Sequence, residues 1–299
     1  ANQVFIPKMK KKSKSSTKSS TTKAERKERL REETEKANRI HKVISAANAE
    51  QDLLAPLAAF CSMEVEITPS PSAVDEAEKT EARQKDDSTS NITSSTKTKL
   101  KVEFYTSPLP PKLRKECLGI FQRNMGSLYE SSSWGLNLDE KEREFKHDDA
   151  RFLIVRREAD NSDSQEGGEF TDTSHPSVSK NVDIDIDDTN NIVAFCHFRF
   201  ESNDIDLPPM DQEAVLYVYE VQVSEYARRG GLGRRLMSII ELIAMKRMDV
   251  KKVVLTVFKA NQIAMEFYLK KMKYEIDESS PSQFVQDEEE DAVDYEILS

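Results

Sequence analysis

Three of the chain's eight glycines fall within four positions, at Gly230, Gly231 and Gly233. Arg228 and Arg229 precede them, Arg234 and Arg235 follow, and an apolar-periodic segment starts at Leu232. The chemistry this pattern suits is anion binding. A helix N-terminus offers unpaired backbone N–H groups and a partial positive charge. Glycine lets a phosphate approach the backbone closely and permits positive φ. Four guanidinium groups add charge, so the expected guest carries several phosphates and is held as a pyrophosphate. Two common phosphate loops do not fit. A Walker loop needs Lys and then Ser or Thr after its last glycine, where this chain has Arg234 and Arg235. A dinucleotide fingerprint needs a glycine three residues after Gly233, where Leu236 stands. A plain tight turn remains an alternative for the glycines taken alone.

The other candidate clusters carry less. Cys61, Cys117 and Cys196 are widely spaced, no Cys-x-x-Cys pair occurs, and the four histidines are scattered, so neither a disulfide framework nor a structural zinc site is expected. A reducing, intracellular compartment fits that usage. Cys196 sits in an apolar segment and suits packing better than nucleophilic attack. Asp183-Ile-Asp185-Ile-Asp187 faintly mimics a calcium loop but lacks the central Gly and the closing Glu. No metal site is expected.

The elements that must position the glycine loop read as an α/β alternation. Strands are expected at Leu100–Tyr105, Arg151–Arg157, Ile192–Phe200, Leu216–Val223 and Lys252–Phe258, with shorter ones near Tyr274–Asp277 and Tyr295–Leu298. Pro110 and Pro111 open a helix to about Tyr129, with Leu113, Cys117, Ile120 and Phe121 on one side. Leu232–Met248 is an amphipathic helix with Leu236, Ile239, Ile240 and Ile243 inward. Asn261 caps a final helix to about Lys271. The result is a mixed sheet covered by helices, with the glycine loop between a strand and a helix.

One third of the residues are charged, which predicts unpacked segments outside this core. Residues 1–35 form a basic tail with Lys10, Lys11, Lys12 and Lys14 clustered, suited to nuclear targeting, to a nucleic-acid surface, or to solvation alone. Residues 36–67 turn helix-friendly, 68–98 read as a disordered insertion, and 158–191 as an acidic disordered insertion within a domain spanning 99–299. The net charge of −10 makes a basic substrate a suitable partner, though it serves solubility equally well. No apolar run approaches the roughly 20 residues that span a bilayer, so no membrane partner is expected.

Arg228-Arg229-Gly230-Gly231-Leu232-Gly233 fits Arg-x-x-Gly-x-Gly and resembles the acetyl-CoA signature of the GNAT acetyltransferase superfamily. Asn261-x-x-Ala264-x-x-Phe267-Tyr268 is similar to that superfamily's second cofactor element. Several further segments resemble, in order, the NatD family of N-terminal α-acetyltransferases. They are Tyr129-Glu-Ser-Ser-Ser-Trp134-Gly135, Phe195-Cys-His-Phe-Arg-Phe200, Leu216-Tyr-Val-Tyr-Glu-Val-Gln222, Leu255-Thr-Val-Phe-Lys259, the segment from Tyr274 to Ser282, and Tyr295-Glu-Ile-Leu298. The resemblance implies a GNAT fold: a mixed, mostly antiparallel central sheet flanked by helices, with the N-terminal helical segment packed on it. It places the glycine loop after the fourth strand and implies strand splaying and a bulge near Glu220.

It also implies acetyl-CoA as acetyl donor and, as substrate, the α-amine of the N-terminal serine of histone H4 and histone 2A, which start Ser-Gly-Arg-Gly. An α-amine has a pKa near 8, so roughly a tenth is already neutral at pH 7. A base must still take the departing proton. By the resemblance Glu220 is that base and Tyr219 stands beside it. Strand alternation would send the two to opposite faces unless a bulge intervenes. Gln222, Val223 and Ser224 would line the coenzyme's arm, Arg228, Arg229, Gly230, Gly231, Leu232, Gly233, Arg234 and Arg235 its pyrophosphate, and Asn261 its amide. Tyr129, Trp134, Glu201, Ser202, Asn203, Tyr219, Thr256 and Glu278 would line the peptide. Asn203 departs from the family's second acidic position, which weakens the clamp for the substrate arginine. The implied locations are nucleus and cytoplasm, with chromatin or ribosome contacts through the basic tail. Acetylation of lysine or a small amine, or a binding module without activity, are the competing functions.

Overall fold

The computed structural model describes residues 22–67, 96–158, 192–203, 212–246, 250–284 and 293–299. Its centre is a seven-stranded sheet with strands neighbouring in chain order: β1 Ser62–Ile67, β2 Thr96–Thr106, β3 Arg151–Arg157, β4 Ile192–Ser202, β5 Ala214–Val223, β6 Val253–Phe258 and β7 Tyr295–Leu298. All neighbours are antiparallel except β5 and β6. The parallel pair requires a crossover, which α4, Leu232–Met245, supplies.

Two-residue alternation splits the core. Leu153, Val155, Cys196, Phe198, Leu216 and Val218 meet α4 and the end of α1 (Lys23–Asn48) on one face. Phe152, Ile154 and Phe195 meet α2 (Pro111–Ser131) and α3 (Leu138–Phe145) on the other. The inward residues expected for α4 are all buried. Phe152, Leu153, Ile154 and Val155 are buried in succession, as a strand covered on both faces requires.

The structure moves several boundaries. The expected edge of the basic tail at residue 35 falls inside α1, which starts at Lys23. Thr22 and Glu25 form a reciprocal capping box there, and Arg29–Glu33 and Arg31–Glu35 pair one turn apart, so the helix needs little burial. Residues 36–67 are not wholly helical: a 3-10 segment, Ala55–Phe60, leads into β1, which β2 holds in register from Ser62↔Lys101 to Ile67↔Thr96. β2 therefore begins inside the stretch expected to be disordered. The expected strand at 274–277 is a single bridge, Ile276↔Leu298, because Asp277 turns the chain by accepting from Ser279. The final helix is α5, Gln262–Glu266, continued by a π-helical stretch, Phe267–Met272. The acidic insertion from residue 159 on, the cluster Lys10–Lys14 and the Asp183–Asp187 run lie outside the described residues.

Candidate active site

β5 ends in a 3-10 turn, Glu225–Ala227, and the chain then enters α4 through the glycine loop. Because β1 adds a strand at the edge, the loop follows the fifth strand and not the fourth. Gly231 is the N-cap of α4 at φ 82° and provides no side-chain cap. α1, α3 and α5, by contrast, are capped by Thr22, Asn137 and Asn261. Space around Gly231 is open, with nothing within 4 Å of where a Cβ would stand. The first turn of α4 has no side-chain cap, which leaves its N–H groups suited to an anion such as a pyrophosphate. Gly230 is needed for another reason: a Cβ there would lie 2.3 Å from Val65 Cγ1. β1 closes one side of the loop.

The arginines diverge. Arg228 donates to Asn124 Oδ1 at 2.6 Å and to the Val223 carbonyl at 3.3 Å. Arg235 donates to the Phe60 carbonyl at 3.2 Å and lies over the Phe60 ring. Arg234 reaches the Lys271 carbonyl at 3.4 Å. Arg229 is exposed and holds φ 72°.

β5 and β6 pair only from Leu216 to Val218 and then part, so Tyr219 to Val223 have no partner on the β6 side. The expected splay is present. So is the bulge: His197 opposes Glu220 and Phe198 opposes Val218, leaving Tyr219 as the extra residue. Val218, Val221 and Val223 stay with the α1/α4 core, while Tyr219, Glu220 and Gln222 all reach the other face. There Tyr219 stacks on His197, whose ring meets Phe145, and Glu220 bonds Lys141 of α3. The free edge does not supply every group expected of it. Ser224 N–H is bound to the Val193 carbonyl, and the Val223 carbonyl accepts from Asn124.

Lys141 joins this cluster although the sequence showed no sign of it. Its Nζ lies 2.8 Å from Glu220 Oε1 and 2.9 Å from Glu144 Oε1, buried over the rings of Phe121 and Tyr129. Gln222 Nε2 donates to Glu220 Oε2 at 2.7 Å. Burial raises the Glu220 carboxyl above the usual range, against the pull of Lys141. Burial also works on Glu144, but Lys141 and His197 outweigh it and hold that carboxyl at about 2. Burial lowers His197 to about 4, so its ring is neutral at pH 7. The Lys141 ammonium is held well above lysine's ordinary range, burial being outweighed by Glu144 and Glu220. Only Asn137, capping α3 through Glu140 N–H, and the acidic first turn marked this helix in the sequence. A helix whose buried face carries Lys141 and Glu144 escapes any search for apolar periodicity.

The expected peptide-lining residues fall into three sets. Tyr219 Oη donates to Glu201 Oε2 at 2.9 Å, and burial raises the Glu201 carboxyl to about 7. Arg199 covers the Tyr219 ring and donates to the Glu144 carbonyl. These groups adjoin Glu220. Tyr129 and Trp134 pack edge-on with Phe258, and Trp134 also with Tyr295, as one aromatic wall. Thr256 is bonded to the Tyr217 hydroxyl. Asn203 serves the backbone instead, because its amide oxygen accepts from Glu213 N–H and closes the β4–β5 hairpin. Ser202 lies beside it at the strand end, and Glu278 is exposed in the turn after Asp277. Asn261 spends its side-chain oxygen on Ala264 N–H. Cys196 is fully buried and its thiol is pushed up by burial, consistent with packing.

Residues 135–274, from the loop before α3 to just past the π-helical stretch, match the acetyltransferase (GNAT) family model. Over those residues the chain is similar to GNAT acetyltransferases. The GNAT fold accounts for the sheet, the splay and the position of the glycine loop. Among solved structures, similarity extends to Arabidopsis thaliana NAA60 in complex with a bisubstrate analogue, at 12% identity over 58% of this chain and 85% of that one, TM-score 0.36. It extends likewise to the ribosomal-protein-alanine N-acetyltransferase of Brucella melitensis biovar Abortus 2308, at 14% identity, 57% and 90% coverage and TM-score 0.33. A possible acetyltransferase from Clostridium difficile 630 matches at 16% identity, 59% and 92% coverage and TM-score 0.36. Among the described residues, no helix is long and apolar enough to cross a membrane.

Proposed function

We propose that this protein is an N-terminal α-acetyltransferase that transfers acetyl from acetyl-CoA to the serine α-amine of histone H4 and histone 2A. The observation that carries the proposal is the bulge at Tyr219, which brings Tyr219 and Glu220 to one face beside the splayed edge of β5. Acetyl-CoA, when bound, supplies a thioester carbonyl as electrophile. The N–H groups of Leu232, Gly233 and Arg234 would hold its pyrophosphate, with Arg229 adding charge. Glu220 takes the proton from the attacking nitrogen; each of its oxygens accepts one hydrogen bond from the protein and keeps a second lone pair. The Trp134–Tyr129–Phe258 wall excludes water on that side.

Substrate choice rests on Glu201 and on the resemblance. A carboxyl poised at about 7 and bonded to Tyr219 gains charge when a cationic residue approaches, so a basic third residue is favoured there. Asn203, committed to its hairpin, leaves Glu201 as the acidic partner among the described residues of that strand end. Nuclear and cytoplasmic locations follow from those substrates, and the basic segment before α1 suits chromatin or the ribosome.

Mass spectrometry of a lysine-containing histone H4 peptide that starts Ser-Gly-Arg-Gly, incubated with the protein and acetyl-CoA, tests this directly. Acetyl on the serine α-amine is the expected product. Acetyl on a lysine side chain, or none, would overturn it in favour of a lysine or small-amine acetyltransferase, or an inactive module. Replacing the third residue by Ala, then Glu, asks separately about Glu201.

A further inference from the structure

The reaction proposed above needs a carboxylate that is ionised before the amine arrives and stable once protonated. Around Glu220 one ammonium serves two carboxylates, all three nearly inaccessible: side-chain exposure is 9% for Lys141, 5% for Glu220 and 7% for Glu144. The partners of the two acids differ. Glu144 has Lys141 and, at 3.4 Å, His197 Nδ1. Glu220 has Lys141 and the neutral amide of Gln222.

We propose that Lys141 is a positioning residue which, fixed to Glu144 as a permanent ion pair, makes Glu220 the one acid of the cluster that takes up the substrate's proton. The inference rests on the transfer reaction above and deepens it. The charge count is the reason. With Glu220 ionised the cluster carries one net negative charge in a buried site; with Glu220 protonated it is neutral, and Lys141 is still paired with Glu144. Proton uptake therefore leaves no buried cation without a partner, which would otherwise be strongly unfavourable. Two neighbouring carboxyls whose surroundings push them apart divide the roles of spectator and proton carrier. The step balances simply: an amine N–H bond breaks, its electron pair stays on nitrogen, and an O–H bond forms on Glu220.

Other groups around Glu220 do not replace this device. Lys141 and Glu144 face it from α3, Tyr129 from α2, His197 and Cys196 from β4, and Tyr268 from the π-helical stretch. The hydroxyls and the thiol are all raised by burial, and His197 is neutral. Lys141 is thus the cation that decides the state of Glu220.

The test is the pH profile of kcat at saturating acetyl-CoA and Ser-Gly-Arg-Gly peptide, using the full chain, so that the free amine's own ionisation near pH 8 does not set the acid limb. In Lys141→Met the acid limb should move to higher pH by about one unit or more, because the ionised form loses its partner. In Glu144→Gln it should move to lower pH, because repulsion is removed and Lys141 serves Glu220 alone. Lys141→Arg should restore most of the wild-type profile. A structural role alone predicts lower activity without limbs moving in opposite directions. Unmoved limbs, or shifts of the same sign, would overturn the proposal while wild-type acetylation leaves the transfer reaction standing. A wild-type protein without acetylation removes both. Should Lys141→Met fail to fold by thermal melt, Glu144→Gln against Lys141→Arg decides: no downward shift in the former is fatal.

Discussion

The glycine loop at 228–233 is built from contiguous residues, and the groups that suit it to a phosphate are backbone N–H donors that any sequence presents once the chain enters a helix there. The carboxylate cluster on the other side of β5 draws Glu220, Lys141, Glu144 and His197 from three separate elements. It works through side-chain charges whose state depends on burial. The first region tolerates exposure and wants little but conformational freedom. The second functions only when water is excluded and every charge is partnered. The difference teaches that a backbone anion cradle is local in the sequence whereas a buried charge cluster is tertiary.

Substitutions can break that contrast. Glu220→Gln should lower kcat/KM by about 10²- to 10⁴-fold, the usual weight of a general base, while calorimetric binding of the coenzyme stays intact. Lys141→Ala leaves two buried carboxylates facing each other, so unfolding by denaturant should show a loss of about 3–5 kcal/mol. Gly230→Ala drives a methyl into Val65 and should lose about 1–3 kcal/mol in the same measurement, with weaker coenzyme binding. Equal damage to coenzyme binding from Glu220→Gln would erase the division between the two regions.

Gentler effects sharpen it. Because the Glu201 carboxyl is raised to about 7 in the folded protein, the native state holds a proton that the unfolded chain releases near 4.5. Its contribution is full below 4.5 and lost as pH rises through 7, so wild-type stability should decline over that window. Glu201→Gln should flatten the decline in melting curves taken from about pH 4 to 8. Arg229→Gly removes a left-handed φ from a residue with a side chain and should raise stability by about 1 kcal/mol, while weakening coenzyme binding by the loss of one exposed charge.

Much of the frame could be read from residue types. The strands at 151–157, 192–202 and 253–258 announce themselves by apolar runs, and α4 by its inward stripe. β1 did not, because its alternating Glu64 and Glu66 resemble a solvated segment until β2 is laid beside it. α3 did not, because its inward face is charged. In the site, Tyr219 and Glu220 share one face, as the bulge implied by the resemblance requires, while Asn203 and Thr256 hydrogen-bond to Glu213 N–H and the Tyr217 hydroxyl. Their hydrogen-bond partners lie 10 and 39 residues away along the chain, so no local pattern marks either one.

By itself the sequence determined the glycine loop and the amphipathic helix behind it, because φ preference and hydrophobic periodicity are properties of neighbouring residues. Only the tertiary structure decided which group partners Glu220. That choice depends on a bulge at Tyr219, set by how β4 and β5 pair, and on a lysine 79 positions away that burial brings to 2.8 Å. In a medium of low polarizability the free energy of each charge is fixed by its contacts in space, and contacts of that range are not written in any window of the chain.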